Sequence, residues 1–337
     1  MVIAILFFVF VHSVKAEKEV LLGTTKTVKS IKLEKPMLLD SFVMVEENYV
    51  AYTPKEQQLV LISPEGKILY SYSKKGNGPG EFSEAVFVSA YYNKTVYVCD
   101  NMLQKILLFT YDAAKKTLTY LDEYLFNKGR IVRIFVTESG KIFTSPLMGD
   151  HEFLELKKDF SIAKKYFPVD KSQQNDPYFG DIMRNWLSLF SGNDTYLLRA
   201  GQMNSKMQFL KYDGKKFVEL KKREVVRKSK KNKVTTEKSK GSIMNKVEAA
   251  GINSSWFFNN HYYIICTLPE SEKESIIEVY SEKGDYKGYY VIENAENEIV
   301  SHVVFNKDQT FAYQKKVKGK NDKITLDEST LYIGSIK

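Results

Sequence analysis

Residues 76–82 constrain the fold of this chain more than any other segment. They read Gly-Asn-Gly-Pro-Gly-Glu-Phe. Three glycines and a proline within five positions do not fit inside a regular strand or helix, because glycine favours positive φ and proline fixes φ. A strand-like run, the step Val-Cys-Asp at 98–100 and a second strand ending at Phe109 follow. This order of loop, strand, aspartate and strand predicts one repeat unit of a β-propeller.

The rest of the chain divides into segments of the same kind, each with three or four short strands separated by turn residues. These segments span residues 41–72, 85–124, 131–169, 185–220, 254–292 and 299–337. Units of about forty residues match the blade period of a propeller. An irregular β-sandwich is the alternative, but it would not account for six similar units.

Residues 19–33 are strand-like but belong to no complete unit. We expect them to supply the outer strand of the last blade, because such a closure removes an open sheet edge. The sequence therefore predicts an all-β, six-bladed β-propeller over residues 17–337, with four-stranded antiparallel blades and an N-terminal strand that closes the last one.

The glycine run, together with Val98, Cys99 and Asp100 and with residues 106–109, resembles an NHL-type repeat. The whole mature chain resembles the exported six-bladed propellers of the TolB-like and NHL-like group of bacterial envelopes. Only the second unit carries the motif, since the other five lack the Gly-Pro-Gly-Glu-Phe run. The resemblance implies the fold but no single activity, because propellers serve both as binding proteins and as enzymes.

Residues 1–16 have the pattern of a secretory signal peptide. Val2 to Val11 is an unbroken apolar run, and Val14 and Ala16 occupy the −3 and −1 positions of a small-residue cleavage site. Such a run is short for a membrane span, so a retained anchor is the weaker alternative. No cysteine follows it to carry a lipid. We therefore expect export to the periplasm or the extracellular space, and not a lipoprotein.

The two cysteines, Cys99 and Cys266, fall in strands of distant units. A disulfide needs Cα atoms within about 7 Å of each other. The sequence therefore predicts two buried free thiols, which pack as small apolar side chains.

Most of the net charge of +9 lies between Lys221 and Lys240, a stretch with ten basic and two acidic residues. We interpret residues 221–241 as an insert between the fourth and fifth blades. Its plainer interpretation is a solvated loop, because like charges repel. The sharper one is a patch for polyanions such as acidic glycans or lipid head groups. The patch would comprise Lys221, Lys222, Arg223, Arg227, Lys228, Lys230, Lys231 and Lys233.

A propeller brings one loop from each blade to the mouth of its channel, where distant residues converge. The candidate ligand-binding residues there are Glu81, Asp100, Asn101, Arg130, Asp150, Arg184 and His302. Each also has a structural interpretation. Asp100 could cap a turn, and Glu81 could accept N–H groups of the glycine run. The arginines could be solvated strand ends, and His302 could pack beside valines.

No catalytic motif is present, and the single, widely spaced histidines do not have metal-ligand spacing. We therefore assign no catalytic residue, metal ligand or cofactor. The sequence predicts an exported, monomeric binding or scaffold module with a polar ligand, glycan or protein partner at the channel mouth. Nucleic acid is not an expected partner, and a membrane surface would be met only through the basic insert. The alternative is a lyase or hydrolase that uses carboxylates of the same channel, with a metal ion such as calcium held by their oxygens.

Overall fold

All regular elements in the described part of the chain are β-strands. The structure is a computed structural model, and it describes residues 19–83, 86–127, 129–146, 149–169, 188–201, 206–226, 233–239, 242–248, 251–267, 275–293, 298–306, 309–318 and 324–336. The predicted signal peptide lies outside these ranges. No helix within them is long and apolar enough to cross a membrane.

After a first strand, β1 (Leu21–Lys32), sixteen strands form four separate sheets, each with four consecutive antiparallel strands. The first sheet contains β2 (Ser41–Val45), β3 (Asn48–Thr53), β4 (Gln58–Ile62) and β5 (Ile68–Tyr72). The second contains β6 (Val86–Tyr92), β7 (Thr95–Asp100), β8 (Lys105–Asp112) and β9 (Thr117–Leu125). The third contains β10 (Ile134–Val136), β11 (Ile142–Thr144), β12 (His151–Leu156) and β13 (Ile162–Pro168). The fourth contains β14 (Ser188–Gly192), β15 (Tyr196–Gly201), β16 (Lys206–Tyr212) and β17 (Phe217–Glu224).

The remaining strands form a two-stranded hairpin and one large sheet. The hairpin consists of β18 (Lys233–Ser239) and β19 (Ser242–Glu248). The large sheet contains β20 (Gly251–Phe258), β21 (His261–Thr267), β22 (Ser275–Ser281), β23 (Tyr286–Ile292), β24 (Glu298–Phe305), β25 (Thr310–Lys318), β26 (Ile324–Leu326) and β27 (Thr330–Ser335). With β1 it has nine strands in the order β20-β21-β22-β23-β1-β27-β25-β24, and β26 pairs with β25.

Strand β1 is the reason that the last strands form one sheet. Its first part, from Leu21 to Thr25, pairs in parallel with β23. Its second part, from Lys26 to Lys32, pairs antiparallel with β27. The predicted pairing of the N-terminal strand with the final strand is therefore confirmed. The prediction of six separate four-stranded sheets is corrected to four such sheets and a nine-stranded one, because β1 bridges the two strand groups at the end of the chain.

The sheets are arranged as a ring around a central channel. The channel is lined by the first strand of each four-stranded sheet, β2, β6, β10 and β14, and by β20 and β24 of the large sheet. Each of these strands lies beside the next in chain order, and β24 lies beside β2. The described part of the chain therefore forms a β-propeller.

The hydrophobic core lies between neighbouring sheets and not at the centre of the ring. One cluster joins the first and second sheets around Phe82, Tyr52 and Phe109. Similar clusters join each following pair, and in the last of them Ile31 and Leu331 pack with residues of the first sheet. The thiols of Cys99 and Cys266 are both buried and free within these clusters, as predicted.

The predicted basic insert begins later than Lys221. Strand β17 continues to Glu224 and pairs with β16 along its length, so Lys221, Lys222 and Arg223 belong to the outer strand of the fourth sheet. The alternating hydrophobic pattern fades after Leu220 because this strand is an outer one with solvent on one side. The density of basic residues therefore placed the start of the insert at Lys221, although strand β17 continues to Glu224.

Candidate functional site

The central channel contains a cavity of about 800 Å³, which is the size of a small-molecule site. Its wall comes from β2, β6, β10, β14, β20 and β24, so the residues that share it are far apart in sequence. It is lined by several aromatic side chains, by serines and by three charged residues, Asp40, Arg133 and Glu138.

The end of the channel at which the inner strands begin carries charge. Asp40 immediately precedes β2, and Arg133 immediately precedes β10. Burial lowers the pKa of the Arg133 guanidinium, and the negative charge of Asp40 opposes that shift. The guanidinium also faces the ring of Phe87, 6.0 Å from its centroid. An arginine stays protonated at any physiological pH, so this end of the channel holds a partly desolvated cation.

The Cys99 thiol lies close to this cation without being ionised by it. Burial raises the pKa of Cys99 to about 12, although Ser89 and Arg133 act in the opposite direction. At neutral pH the sulfur is therefore a neutral thiol, which makes it a poor nucleophile.

The other end of the channel carries aromatic rings together with Glu138, which follows β10. Trp256 and Phe258 lie at the end of β20, and Phe305 is the last residue of β24. The Trp256 ring stacks with both phenylalanines, at centroid distances of 4.7 Å to Phe258 and 5.4 Å to Phe305. The three rings make this part of the cavity wall apolar and aromatic.

Three polar atoms of the cavity wall are shielded from solvent and have no hydrogen-bond partner among the described residues. They are Nε of Arg133, Oγ of Ser191 and Oγ of Ser255. Ser191 is only 4% exposed. Buried polar groups are nearly always hydrogen-bonded, because desolvation without a partner is costly. A wall with three such groups is therefore suited to a ligand that supplies the missing acceptors and donors.

The glycine run that dominates the sequence lies elsewhere, between the first and second sheets. Its Phe82 is fully buried and packs edge-on against Tyr52 at 6.1 Å. The backbone N–H of Gly78 donates to Glu81 Oε2 at 2.8 Å, and that of Gly80 donates to Glu123 Oε2 at 2.9 Å. Gly80 is required locally, since it has φ +72° and a Cβ there would lie 2.8 Å from Tyr72 Oη.

The buried side chain of Lys105 forms hydrogen bonds to the backbone of the same loop. Nζ of Lys105 donates to the carbonyl oxygens of Asn77 and Gly78 at 2.9 and 3.0 Å, and it lies 2.9 Å from Glu123 Oε1. We call Lys105, Glu123 and residues 76–82 the loop anchor. Its polar groups satisfy one another, so the run fixes two sheets together.

The structure gives two of the predicted ligand residues internal partners. Glu81 accepts the Gly78 N–H inside the glycine run. Asp100 is fully buried and accepts hydrogen bonds from Ser83 N, Ser83 Oγ and Leu103 N at 2.6 to 2.9 Å. These contacts correspond to the structural interpretations considered for both residues.

The other predicted ligand residues are dispersed. Asp150 lies 2.8 Å from Nδ1 of His151 and 3.0 Å from Nζ of Lys165, and these contacts lower its pKa to about 2. Arg130 is exposed, and Asn101 has a buried Oδ1 without a partner in the described ranges. Arg184 and the side chain of His302 lie outside the described residues. Of the five described side chains, none lines the cavity, and ligand binding by the set stays a prediction.

The basic residues of the predicted polyanion patch are described only at its start. Lys221 pairs with Asp285 at 2.8 Å, Lys222 with Glu219 at 3.0 Å, and Arg223 donates to the Gly284 carbonyl at 2.9 Å. Arg227, Lys228, Lys230 and Lys231 lie outside the described residues, as does the side chain of Lys233 on β18. Within the described ranges, no three His, Cys, Asp or Glu side chains are grouped so that they could hold a metal ion.

The described residues of the predicted ligand set include no cavity residue, although the sequence held one signal for the cavity. The segment Ile131-Val132-Arg133-Ile134 places a cation inside an apolar run, which is unusual for an inner strand. The sequence places the start of the third unit at residue 131, which makes Arg130 the candidate at the channel mouth. Strand β10 begins at Ile134, so the residue at the channel end is Arg133.

Comparisons with known proteins bear on the fold only. No protein-family model matches the sequence, and no curated protein sequence matches it. The structure is similar to that of a protein from Bacteroides fragilis named as exported, with a TM-score of 0.58, 10% identity and coverage of 93% of this chain and 95% of the other.

Two further solved structures share the architecture. A DUF4221 family member from Bacteroides vulgatus has a TM-score of 0.53 and 12% identity over 93% of this chain and 97% of its own. The PQQ-bound aldose sugar dehydrogenase of Streptomyces coelicolor has a TM-score of 0.50 and 8% identity over 93% and 98%. At such identities the likeness establishes a common β-propeller fold and carries no activity from one protein to another.

Proposed function

We propose that the protein is an exported, six-bladed β-propeller that binds a polar ligand in its central channel. One observation carries the binding proposal: a cavity of about 800 Å³ whose wall holds three shielded polar atoms without partners in the described ranges, on Arg133, Ser191 and Ser255. Each such atom costs roughly 1–3 kcal/mol of folding free energy. A ligand that satisfies them recovers this cost on binding.

Six blades are supported by the inner strands and by the packing between sheets. The nine-stranded sheet divides naturally into β20 to β23 and a second group of β24, β25, β27 and β1. A separate hydrophobic cluster, which includes Ile265, Ile277 and Phe311, lies between these two groups. Each group then has the strand count of the other four sheets. The motif at residues 76–82 favours kinship with NHL-like or TolB-like propellers.

Export is supported by the apolar run at residues 2–11 and by the small residues Val14 and Ala16. The structurally similar Bacteroides fragilis protein is itself named as exported. We propose the periplasm or the extracellular space as the location, a monomer as the oligomeric state, and a small polar molecule, a glycan or a protein loop as the partner. No cofactor is included in the proposal.

The binding proposal is tested by obstructing the channel. Ser255 is partly buried on the cavity wall, so Ser255→Phe places a large ring in the cavity. The matched control is Ser71→Phe, at an exposed position on the outer strand β5. Thermal shift measurements with a panel of sugars, amino acids and organic acids should give ligands that raise Tm of the wild type and of the Ser71 variant but not of the Ser255 variant.

Equal shifts in both variants would place binding elsewhere, and the absence of any shift across the panel would count against a small-molecule site. The lyase or hydrolase alternative stays a prediction, and turnover of a bound ligand would support it. Polyanion binding by the basic segment also stays a prediction, tested by binding to acidic glycans after removal of residues 227–240.

A further inference from the structure

We infer that the channel ligand is elongated, with an anionic group, a carboxylate or a phosphate, at one end and a flat apolar body at the other. This inference rests on the proposed function and specifies the class of ligand for the same cavity. It follows from the uneven distribution of charge and aromatic rings along the channel.

The two ends of the cavity can be told apart because the inner strands run in the same direction. At their beginnings, Asp40 before β2 is close enough to act electrostatically on Arg133 before β10. At their ends, Trp256 of β20 stacks with Phe305 of β24. Asp40 and Arg133 therefore share one end of the channel, whereas the stacked rings lie at the other end together with Glu138, which follows β10.

The two features also lie on different sides of the ring. In the order β2, β6, β10, β14, β20, β24, strand β10 is third and strand β24 is sixth, which places them opposite each other. A ligand that touches both Arg133 and Phe305 must cross the cavity diagonally. A molecule with a polar head and a rigid flat body meets that requirement with little loss of conformational entropy.

Arg133 selects an anion and not merely a polar group. Its Nε–H is shielded from solvent and donates to no described residue, while burial opposes the positive charge. Guanidinium N–H groups form a planar fork that matches a carboxylate or a phosphate in two parallel, charge-assisted hydrogen bonds. A neutral ligand would accept from this N–H without the strength of a charge-assisted hydrogen bond.

Asp40 makes this assignment testable, because its charge can either help or hinder. If the ligand is an anion, the negative charge of the Asp40 carboxylate repels it. If the ligand instead carries an ammonium group, Asp40 would attract it. Replacing Asp40 by asparagine therefore shifts the affinity in opposite directions for the two classes of ligand.

The first experiment measures binding of 4-hydroxycinnamate and of its uncharged methyl ester by isothermal titration calorimetry, using the full mature chain. We expect the acid to bind at least about tenfold more tightly than the ester. In Arg133→Gln this preference should be lost, whereas Arg133→Lys should retain part of it. The matched control is Lys158→Gln, an exposed cation in the turn between β12 and β13 of the same sheet, which should bind like the wild type.

Circular dichroism and the melting temperature of each variant identify any that does not fold, and Arg133→Lys then carries the comparison. Phe305→Leu should weaken the acid and the ester alike, because it removes apolar contact without touching the charge. In Asp40→Asn the affinity for the acid should rise. 4-Nitrophenyl phosphate, titrated in parallel, distinguishes a phosphate site from a carboxylate site.

The inference would be overturned if the acid and the ester bound equally well, or if neither anion bound. It would also be overturned if Arg133→Gln kept the preference for the acid, or if Asp40→Asn bound the anion more weakly. The proposed function would survive each of these outcomes if uncharged ligands still lost their thermal shift in Ser255→Phe. It would fail separately if no ligand depended on the open channel. The two failures are therefore distinguishable.

Discussion

The loop anchor and the channel wall treat buried polar atoms in opposite ways. In the loop anchor, Lys105 reaches two carbonyl oxygens and Glu123, and the N–H groups of Gly78 and Gly80 both meet carboxylates. In the channel wall, Ser191 and Arg133 keep shielded polar atoms without partners in the described ranges. The polar groups of the loop anchor stabilise the fold, whereas those of the channel wall are left available to bind a ligand. This difference predicts that mutations in the two regions separate stability from ligand affinity.

The largest loss of stability is expected from Lys105→Met. This change leaves Glu123 and two carbonyl oxygens without their buried cation, and breaking one side of a buried ion pair costs about 3–5 kcal/mol. Urea denaturation followed by circular dichroism measures the loss. The control is Lys115→Met, since Lys115 is 78% exposed and lies 3.6 Å from Asp112, so its ion pair should contribute nothing measurable. Similar losses in the two variants would contradict the role given to the loop anchor.

The sequence predicted the loop anchor region better than the channel, for a physical reason. Turn residues and strand periodicity act locally, so the repeated four-stranded antiparallel sheets and the buried thiols could be inferred from short stretches of chain. Part of the glycine run could also be explained from the run itself, because Gly78 donates its N–H to Glu81 and the Glu81 carboxylate lies against Gly76. Even the pairing of β1 with β27 followed from an unpaired strand at one end of the chain.

The channel wall could not be inferred in this way, because it depends on how the ring closes. Asp40 and Arg133 are separated by nearly a hundred residues, and Trp256 meets Phe305 only because β20 and β24 are neighbours in the ring. The third unit was expected to start at residue 131, three residues before β10 begins. This difference alone made Arg130, and not Arg133, the predicted residue at the channel mouth. The parallel pairing of β1 with β23 could not be inferred from the sequence either. The alternation of apolar and polar residues in β1 does not indicate which strand it pairs with.

The second largest effect is expected from Gly80→Ala. Gly80 has φ +72°, and a Cβ there would lie 2.8 Å from Tyr72 Oη and 3.1 Å from Tyr120 Cγ. Positive φ and overpacking together should cost about 2–4 kcal/mol. The matched control is Gly214→Ala, where φ is +97° but no atom lies within 4 Å, so only the backbone cost of about 1–2 kcal/mol is expected. Equal losses would mean that the loop anchor tolerates a side chain and that its close packing is not needed.

A pair of serines tests the comparison directly. Ser83 Oγ donates to Asp100 Oδ1 at 2.7 Å beside the loop anchor, and Ser83→Ala should cost about 1.5–3 kcal/mol because the acceptor is charged. Ser191→Ala removes a channel hydroxyl that has no partner among the described residues, so stability should stay the same or rise slightly. Ligand affinity, measured by calorimetry, should change only in the Ser191 variant. A destabilised Ser191 variant would remove the contrast between the two regions.

The smallest effect concerns one proton in the loop anchor's surroundings. Tyr72 donates its hydroxyl to the Gly80 carbonyl at 3.0 Å, so Tyr72→Phe should cost about 1 kcal/mol at neutral pH. Burial, with neighbouring Tyr120, raises the pKa of Tyr72 from 10 to about 12. The unfolded chain therefore releases this proton first as the pH rises above 10, and the wild type loses stability between pH 10 and 12.

The phenylalanine variant has no proton to lose at this position. The stability gap between wild type and Tyr72→Phe should therefore narrow as the pH rises from 10 to 12, which denaturation at a series of pH values would measure. Tyr70→Phe, on the same strand β5 and partly exposed, is the control for the loss of a ring hydroxyl. A gap that stays constant with pH would mean that Tyr72 is as free to ionise in the folded protein as in the unfolded chain. In that case the environment of the Tyr72 hydroxyl beside Gly80 would not be desolvated, and the loop anchor would lose this difference from the channel wall.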